Sequence, residues 1–245
     1  MHLLIDVGNT RIKWLLIDGL YDENQLQSGS FENFSDFIKN INTSNISVLL
    51  AAVNQTKPLR VLLSSSNFKE IHEASSQIEQ LGVRNSYTQP ERMGVDRWLA
   101  MIAGFALIKG EAHTKGIIVI DAGSALTVDV VDPNGLHLGG YIVPGIEMAK
   151  RSLFTNTERI MEYKEPTGMD TLFSNKHNLG INTLQCVEYG VITQLVSLIK
   201  SVVEAYESHQ LIFTGGDGEY LASFFPNVII EKNLVLKGLW KGEVK

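Results

Sequence analysis

Eight consecutive residues near the start of the chain have side chains and turn chemistry suited to holding phosphate groups. They are Asp6, Val7, Gly8, Asn9, Thr10, Arg11, Ile12 and Lys13. Gly8 lets a phosphate approach the backbone closely because it has no side chain, and the amides of such a turn donate to phosphate oxygens. Lys13 adds positive charge. A plain β-hairpin turn has a similar composition, so this segment by itself leaves a structural and a functional interpretation open.

A second segment of the same kind begins 115 residues later, at Asp121, and continues through alanine and glycine to Ser124. Asp6 and Asp121 both follow apolar runs, and both precede a glycine turn. A charged carboxylate at the end of a buried strand is costly unless it is paired or bound to a cation. Two of them in equivalent places therefore indicate cation sites, although two turn aspartates exposed to water would give the same sequence.

A third segment, Gly94, Val95, Asp96 and Arg97, stands where a helical pattern begins. The free N–H groups at a helix N-terminus attract anions, and Asp96 would lie in the first turn with Arg97 beside it. Asp96 could cap the helix, a common structural role worth about 1 kcal/mol. It could also accept a proton as a general base, and the spacing alone does not decide between these roles.

The elements that must position these segments belong to a mixed α/β fold. Each aspartate lies between two strand-like runs, the second of which covers residues 11–17 or 126–131, so each segment is typical of strand, tight turn and antiparallel strand. An offset of nearly half the chain predicts two related subdomains, which we place at residues 1–115 and 116–245. Periodicity predicts helices over 95–109, 184–202 and 220–225, the last capped by Asp217, and a strand over 210–214.

The bulk properties of the 245-residue chain argue against several classes of protein. The net charge is −6, which is unusual for a nucleic-acid binder. Cys186 is the single cysteine, so no internal disulfide can form, and its helical setting predicts a small buried side chain. The six histidines lack ligand spacing, so we do not expect a zinc site. We find neither a signal peptide nor an apolar run approaching the roughly 20 residues that span a bilayer, and we expect a soluble, cytoplasmic protein.

Together, these segments resemble the type III pantothenate kinase family. The matching segments are Asp6 to Lys13, Gly94 to Arg97, Asp121 to Ser124, Gly139 to Gly145 and Asn182-Thr183, in the order and spacing of the family. The likeness covers nearly the whole chain, and the combination is specific although each piece alone is weak. One departure is visible at Ser124, where the family usually has threonine, so that the hydroxyl is kept and one methyl group is lost.

The resemblance implies a fold and a reaction. The fold is α/β, with two ribonuclease-H-like (actin-like) subdomains and a nucleotide cleft between them, as in the superfamily of acetate and sugar kinases, Hsp70 and actin. The reaction is ATP-dependent phosphorylation of pantothenate to 4'-phosphopantothenate, the first step of coenzyme A biosynthesis. The resemblance also implies a homodimer, and it gives no reason to expect a nucleic-acid or membrane partner.

The resemblance further implies a role for each site residue. Residues Asp6 to Lys13 and Ser124 contact ATP, and the turn at residues 213–217 is similar to the adenosine side of the superfamily's site. The residues implied to contact pantothenate are Tyr87, Gly94, Val95, Asp96, Arg97 and Thr183, with Asp96 as the general base for its hydroxyl. Asp121 binds a monovalent cation, K⁺ or NH₄⁺. Asp6 is the best candidate ligand for the Mg²⁺ of ATP, since Mg²⁺ takes only one or two carboxylates, and Lys13 with Arg97 can neutralise phosphate charge.

Three other functions are weighed against this one. Another small-molecule kinase of the superfamily is disfavoured by the combination of Tyr87 with Gly94 to Arg97. A ribonuclease-H-like nuclease could place Asp6 and Asp121 around metal ions, but its acidic residues should cluster in one subdomain beside a basic groove. A non-enzymatic regulator that binds a ligand would have no need of a proton acceptor at Asp96.

Overall fold

The first of two five-stranded sheets is built from the N-terminal half of the chain. In a computed structural model, the described residues are 1–8, 10–19, 21–52, 57–108, 115–156 and 179–243. The strands of this sheet are β1 His2–Val7, β2 Ile12–Ile17, β3 Gln27–Gly29, β4 Ser47–Ala52 and β5 Glu70–Glu73. In the order β3-β2-β1-β4-β5, the first three strands are antiparallel neighbours, and β4 and β5 run parallel to β1.

The second sheet repeats the plan of the first. It follows a short hairpin of β6 Glu79–Gln80 and β7 Val83–Arg84. Its strands are β8 Ile117–Ala122, β9 Ala125–Val131, β10 His137–Pro144, β11 Gln210–Thr214 and β12 Val228–Ile230. Their order, β10-β9-β8-β11-β12, and their directions match those of the first sheet strand for strand. The predicted repeat, and with it the α/β fold of two ribonuclease-H-like subdomains, is confirmed.

Helices cover both sheets and fill the space between them. They are α1 Phe31–Lys39, α2 Lys57–Ser65, α3 Val95–Ile108, α4 Ile146–Asn156, α5 Thr183–Ala205, α6 Gly218–Ala222 and α7 Leu234–Glu243. α3 packs against α7, against β4 of the first sheet and against β8 and β9 of the second. One core cluster therefore joins side chains of both sheets through α3 and α7.

The sequence of α3 follows from this central place. We expected an apolar face formed by Trp98, Ile102 and Phe105, but every residue from Arg97 to Phe105 is buried. A helix that is apolar all round lies between layers rather than on a surface. The N-terminal turn of α3, which carries Asp96, is thereby fixed against both halves of the molecule.

α5 is the one helix of the described ranges that is long and apolar enough to cross a membrane, a property that the sequence interpretation overlooked. Its buried side chains, among them Val191, Leu195 and Ile199, belong to a core cluster with strands of the second sheet. This packing accounts for the apolar composition of α5 as that of a core helix.

Two smaller expectations were wrong. The helix predicted over residues 220–225 is α6, which begins at Gly218 and ends at Ala222. Asp217 stands directly before α6 but its side chain makes no capping hydrogen bond, because its backbone (φ −96°, ψ 4°) lacks the extended conformation of an N-cap. Cys186 is exposed rather than buried, and its Sγ donates to the carbonyl of Gly180 at 3.3 Å.

The C-terminal helix crosses from the second half of the chain to the first. α7 contacts β1 and β4 as well as α3, and it buries Leu234, Leu236 and Leu239. The division into residues 1–115 and 116–245 stays a prediction about folding units. In space, the second segment contributes α7 to the core beside the first sheet.

Candidate active site

Asp6 and Asp121 occupy equivalent positions, each one residue before the end of the central strand of its sheet. Asp6 is the fifth residue of β1 and Asp121 the fifth residue of β8. Both line one small cavity between the two halves of the molecule. Its other lining residues are Lys13, Thr214, Gly215, Lys232, Asn233, Val235 and Leu236. The two predicted cation ligands are therefore brought together at a single place.

The electrostatics of this cavity are those of partly buried carboxylates without a hydrogen-bonded partner among the described residues. Burial raises the pKa of Asp6 to about 7, against a lowering by Lys13 and a further raising by the charges of Asp121 and Asp96. Burial likewise raises the pKa of Asp121 to about 6, with Asp96 adding to the effect. Among the described residues, neither carboxylate has a hydrogen bond or an ion pair. Such groups fit a bound cation, which would supply the missing countercharge.

The two glycine turns meet across the cleft. The amide of Gly8 donates to the carbonyl of Arg11 at 3.1 Å, and the amide of Gly123 donates to that of Ala125 at 3.0 Å, so both turns are tight. The hydroxyls of Thr10 and Ser124 lie 2.8 Å apart and share a hydrogen bond. The serine hydroxyl at position 124 thus reaches the first turn without the methyl group of a threonine.

The other residues of the first segment differ in how far their side chains are buried. Val7 and Ile12 are buried in the core of the first sheet, so only their backbone groups can face a ligand. Arg11 is exposed. The Nζ of Lys13 donates to the carbonyl of Lys232 at 3.3 Å, which fixes it at the rim of the cavity. Asn9 lies outside the described residues.

Gly215, at the end of β11, closes the cavity from the second sheet. Its φ of +88° lies in the left-handed region that glycine adopts without strain. A Cβ atom there would stand 2.4 Å from the carbonyl of Ala122 and 2.5 Å from Oδ1 of Asp121. The close approach of this backbone to Asp121 therefore requires glycine at this position.

Asp96 lies in the first turn of α3, as predicted, and shares the electrostatic field of the cavity. Its Oδ1 accepts from the amide of Arg97 at 2.8 Å, so one oxygen satisfies a free amide of the helix start. Within the described part of the chain, Oδ2 has no hydrogen bond. Burial raises the pKa of Asp96. A carboxylate with one fixed and one open oxygen and a raised pKa has the properties of a general base near neutral pH.

Arg97 has a buried partner that the sequence interpretation missed. Its Nε and Nη2 donate to the two carboxylate oxygens of Asp129, at 2.9 and 2.5 Å, and its Nη1 donates to the hydroxyl of Tyr87 at 2.9 Å. Asp129 is 1% exposed. We expected Arg97 to help neutralise phosphate charge. Asp129 compensates the charge of Arg97 instead.

Thr183 takes no part in the hydrogen bonds of Asp96, Arg97 and Tyr87 within the described part of one chain. It is the first residue of α5, and it is exposed. The capping residue is Asn182, whose side chain accepts from the amide of Gln185 at 2.9 Å. Among the described residues, no hydrogen bond joins Thr183 to Asp96 or to Tyr87. Capping, which was the structural alternative for Thr183, is thus excluded.

The described residues offer no protein cage for a metal ion, since no group of three His, Cys, Asp or Glu side chains is placed to hold one. The cavity has two carboxylates, Asp6 and Asp121, and a carbonyl-rich wall. This donor set suits hard cations that keep water or phosphate oxygens as their other ligands. Magnesium carried by a nucleotide and a monovalent cation both fit that description.

Three residues near the site were absent from the sequence interpretation. The sequence does contain a sign of the role of Asp129, because this residue is a charge inside the apolar run of β9, where buried charges occur only when they are paired. No such sign exists for Lys232 and Asn233. They approach the cavity because the chain crosses there from β12, in the second sheet, to α7, which packs beside the first sheet, and this crossing is a property of the topology.

Comparison with known proteins agrees with this geometry. A family model for type III pantothenate kinases matches residues 2–205. The type III pantothenate kinase of Pseudoalteromonas translucida is 33% identical over 243 residues, covering 98% of this chain and 94% of the relative. That of Marinobacter nauticus is 32% identical over 250 residues, covering 98% and 96%. Among solved structures, a protein of Campylobacter jejuni described as a Baf family transcriptional activator has a TM-score of 0.61 and 25% identity, covering 98% and 96%.

Proposed function

Since the chain belongs to the type III pantothenate kinase family, we propose that it phosphorylates pantothenate with Asp96 as general base at the cavity shared by Asp6 and Asp121. The family uses ATP to make 4'-phosphopantothenate in coenzyme A biosynthesis. The observation that carries the proposal is the electrostatic coupling of three carboxylates where the two turns meet. Two of them have no protein partner, and the third presents an open oxygen.

The nucleotide lies along the two turns. Backbone amides of the segment from Asp6 to Lys13, with the hydroxyls of Thr10 and Ser124, donate to phosphate oxygens. Lys13, held at the cavity rim by its bond to Lys232, contributes the positive charge. Asp6 is the ligand for magnesium, which when bound neutralises phosphate charge during transfer. The Thr10–Ser124 contact supports this placement, because it brings the two hydroxyls to one point of the cleft.

Pantothenate binds at the start of α3. Asp96 accepts the proton of the attacking hydroxyl through its open oxygen, so it must be ionised before transfer. Gly94 and Val95 bring the backbone of the helix start to the substrate. Tyr87 and Arg97 form the opposite side, where Tyr87 is 37% exposed and so accessible to a ligand. The buried core around α3 holds these groups in place, which favours a reaction that depends on positioning.

Asp121 holds a monovalent cation, K⁺ or NH₄⁺. The support is physical: Asp121 is partly buried, its pKa is raised to about 6, and the structure gives its carboxylate no partner among the described residues. A cation there would compensate its charge at neutral pH and offset its repulsion of Asp96.

The working unit is a homodimer, in which Thr183 completes the pantothenate pocket of the partner subunit. Large apolar side chains are exposed on edge strand β10, on α4 and just before α5. They are Tyr141, Ile142, Met148, Leu153, Leu179 and Ile181, each between 41% and 92% exposed. An exposed apolar edge strand is a pairing surface unless it is covered. We place the enzyme in the cytoplasm, where ATP is available and the exposed thiol of Cys186 stays reduced.

The proposal is tested by following ADP release with potassium present and three kinds of acceptor. The acceptors are pantothenate, a panel of sugars and short hydroxy acids, and water alone. We expect release that depends on pantothenate. Release with a sugar instead would show another kinase of the same fold. No release with any acceptor, together with pantothenate binding, would show a regulator rather than an enzyme.

A further inference from the structure

A ring of five side chains stands beside Asp96, built around its neighbour Arg97. The Arg97–Asp129 pair continues to His137, whose Nε2 lies 3.1 Å from Oδ1 of Asp129. The Nδ1 of His137 lies 2.9 Å from the hydroxyl of Ser86. Ser86 precedes Tyr87 in the chain, and Tyr87 accepts from Arg97, so the ring closes. It joins the loop before α3, the start of α3, and strands β9 and β10.

The direction of each hydrogen bond in the ring is set by its neighbour. A carboxylate only accepts hydrogen bonds, so His137 carries its proton on Nε2 and donates it to Asp129. In a neutral imidazole, Nδ1 of His137 is then an acceptor, and the hydroxyl of Ser86 donates to it.

The inner part of the ring is buried and tightly packed. Asp129 is 1% exposed, His137 0% and Arg97 6%. A Cβ atom on Gly140 would stand 2.4 Å from Oδ1 of Asp129 and 3.1 Å from Nη2 of Arg97, so the strand leaves no room for the pair to move. Buried polar networks whose groups are all bonded hold one arrangement.

The outer part of the ring still has hydrogen-bonding capacity. A guanidinium has five N–H donors, and the described residues accept three of those of Arg97. One donor remains on each terminal nitrogen. The exposed Tyr87 marks the open side. Three carboxylates, Asp6, Asp96 and Asp121, lie in the same electrostatic field, and a guanidinium without its tether would be drawn towards them.

We infer that Asp129 and His137 are positioning residues, which hold Arg97 beside Tyr87 and away from Asp96, so that its two remaining donors face pantothenate. Pantothenate is an anion, and charge-assisted bonds to a fixed guanidinium depend strongly on geometry. The inference rests on the proposed roles of Arg97 and Tyr87 in substrate binding. It adds that the affinity for substrate is set by two buried residues of the second sheet that the substrate does not touch.

The test compares two substitutions of the buried histidine. His137→Leu removes the donor to Asp129 at similar volume, whereas His137→Gln keeps an N–H at the position of Nε2. We expect His137→Leu to raise the KM for pantothenate at least tenfold, about 1.4 kcal/mol of binding, with the KM for ATP within about twofold. His137→Gln should stay within about threefold of wild type for both. The matched control is His209→Leu, a partly buried histidine that lies beside Gly116, at the opposite end of β8 from Asp121; it should change neither KM.

Several outcomes would overturn the inference. One is a pantothenate KM within twofold of wild type in a folded His137→Leu protein, and another is an equal rise in both KM values, which would show a structural role only. If His137→Leu does not fold, Ser86→Ala decides, because it removes the outer bond alone. A rise of about threefold in the pantothenate KM supports the ring, and no rise contradicts it. Wild type without pantothenate-dependent turnover would instead refute the proposed function, and calorimetric titration of pantothenate would still test the ring.

Discussion

At the scale of single residues, burial without partners governs the behaviour of Asp6 and Asp121. Each has a higher pKa in the folded protein than its ordinary value of 3.8. The folded state therefore holds extra protons between about pH 4 and 7, and stability falls as the pH rises through that window. At neutral pH the empty site is destabilising. A cation or a nucleotide that offsets the two charges stabilises the fold and prepares the reaction together.

Removal of the charge of Asp6 should make the protein more stable and less active. We expect Asp6→Asn to raise the free energy of unfolding by up to about 4 kcal/mol at pH 7.5, since folding raises the pKa of Asp6 from 3.8 to about 7 and each pKa unit corresponds to about 1.4 kcal/mol. The gain should largely vanish at pH 4, where the folded carboxyl is protonated and the pH is close to the ordinary pKa of the unfolded one. Urea denaturation at the two pH values, without nucleotide or potassium, measures it. Asp36→Asn, at an exposed aspartate, is the control and should change stability by less than about 0.5 kcal/mol. An equal or lower stability at pH 7.5 would contradict the account.

The carboxylate of Asp121 should make the enzyme depend on potassium. We expect turnover to fall at least tenfold when KCl is replaced by tetramethylammonium chloride at constant ionic strength, because the larger ion cannot enter the cavity. KCl should also raise the melting temperature of the wild type, since a ligand of the folded state stabilises it. Asp121→Asn should remove the potassium effect on melting. Unchanged turnover in tetramethylammonium would leave Asp121 a structural part only.

At the scale of elements, we place the proposed substrate chemistry at two helix starts. α3 begins at Val95, presents Asp96 in its first turn and is fixed by burial on all sides. α5 begins at Thr183, with Asn182 as its cap. The hydrogen bonds at the start of α5 separate two roles. The side chain of Asn182 caps and stabilises the helix, whereas the exposed hydroxyl of Thr183 is available to a ligand.

Neighbouring substitutions at the start of α5 should therefore have opposite effects. Asn182→Ala should lower the free energy of unfolding by about 1 kcal/mol through loss of the cap. Thr183→Ala should leave stability within about 0.5 kcal/mol and raise the KM for pantothenate at least tenfold, with little change for ATP. Denaturation curves and steady-state kinetics on both variants measure the two effects. The reverse pattern, in which Thr183→Ala destabilises and binds normally, would show that Thr183 has a structural role.

Sequence patterns predicted the two strands around each turn and the starts of α3 and α5, because local chemistry sets them. The two turns at Asp6 and Asp121 could be found from an apolar run, an aspartate and a glycine, and the repeat followed from their spacing. The pairing of Arg97 with Asp129 could not be predicted from local patterns, since it joins α3 to β9 across the interior. The same holds for the approach of Lys232 to the cavity, which depends on how the last strand and helix cross over. The burial of α3 on all sides could not be predicted either, because it depends on packing against the second sheet.

At the scale of the whole molecule, the site belongs to the contact between two similar halves. Each half supplies a turn and a carboxylate, while α7 from the end of the chain packs on the first sheet and closes the cavity. The edges of the second sheet differ. β10 exposes Tyr141 and Ile142, and β12 at the other edge exposes Ile230. We assign the first edge to the dimer because α4 and the start of α5 continue its apolar surface.

A charge on edge strand β10 should separate the subunits. We expect Ile142→Glu to give a monomer by light scattering, and to raise the KM for pantothenate because Thr183 of the partner subunit is lost from the pocket. Ile230→Glu, on the opposite edge, is the matched control and should leave the dimer intact. Mixing Asp96→Asn with Thr183→Ala subunits should regenerate some native sites in heterodimers. A wild-type monomer with full activity, or mixing that restores nothing, would place the whole pocket within one chain.

The central claim is that Asp96 takes the proton of pantothenate during transfer of phosphate from ATP. The most direct measurement is mass spectrometry of the products formed by wild type and Asp96→Asn from ATP and pantothenate in potassium buffer. We expect the wild type to form 4'-phosphopantothenate and ADP in equal amounts. We expect the Asp96→Asn enzyme to react roughly 100- to 10,000-fold more slowly, at an unchanged melting temperature. ADP without phosphopantothenate, or an Asp96→Asn enzyme within about threefold of wild type, would contradict it.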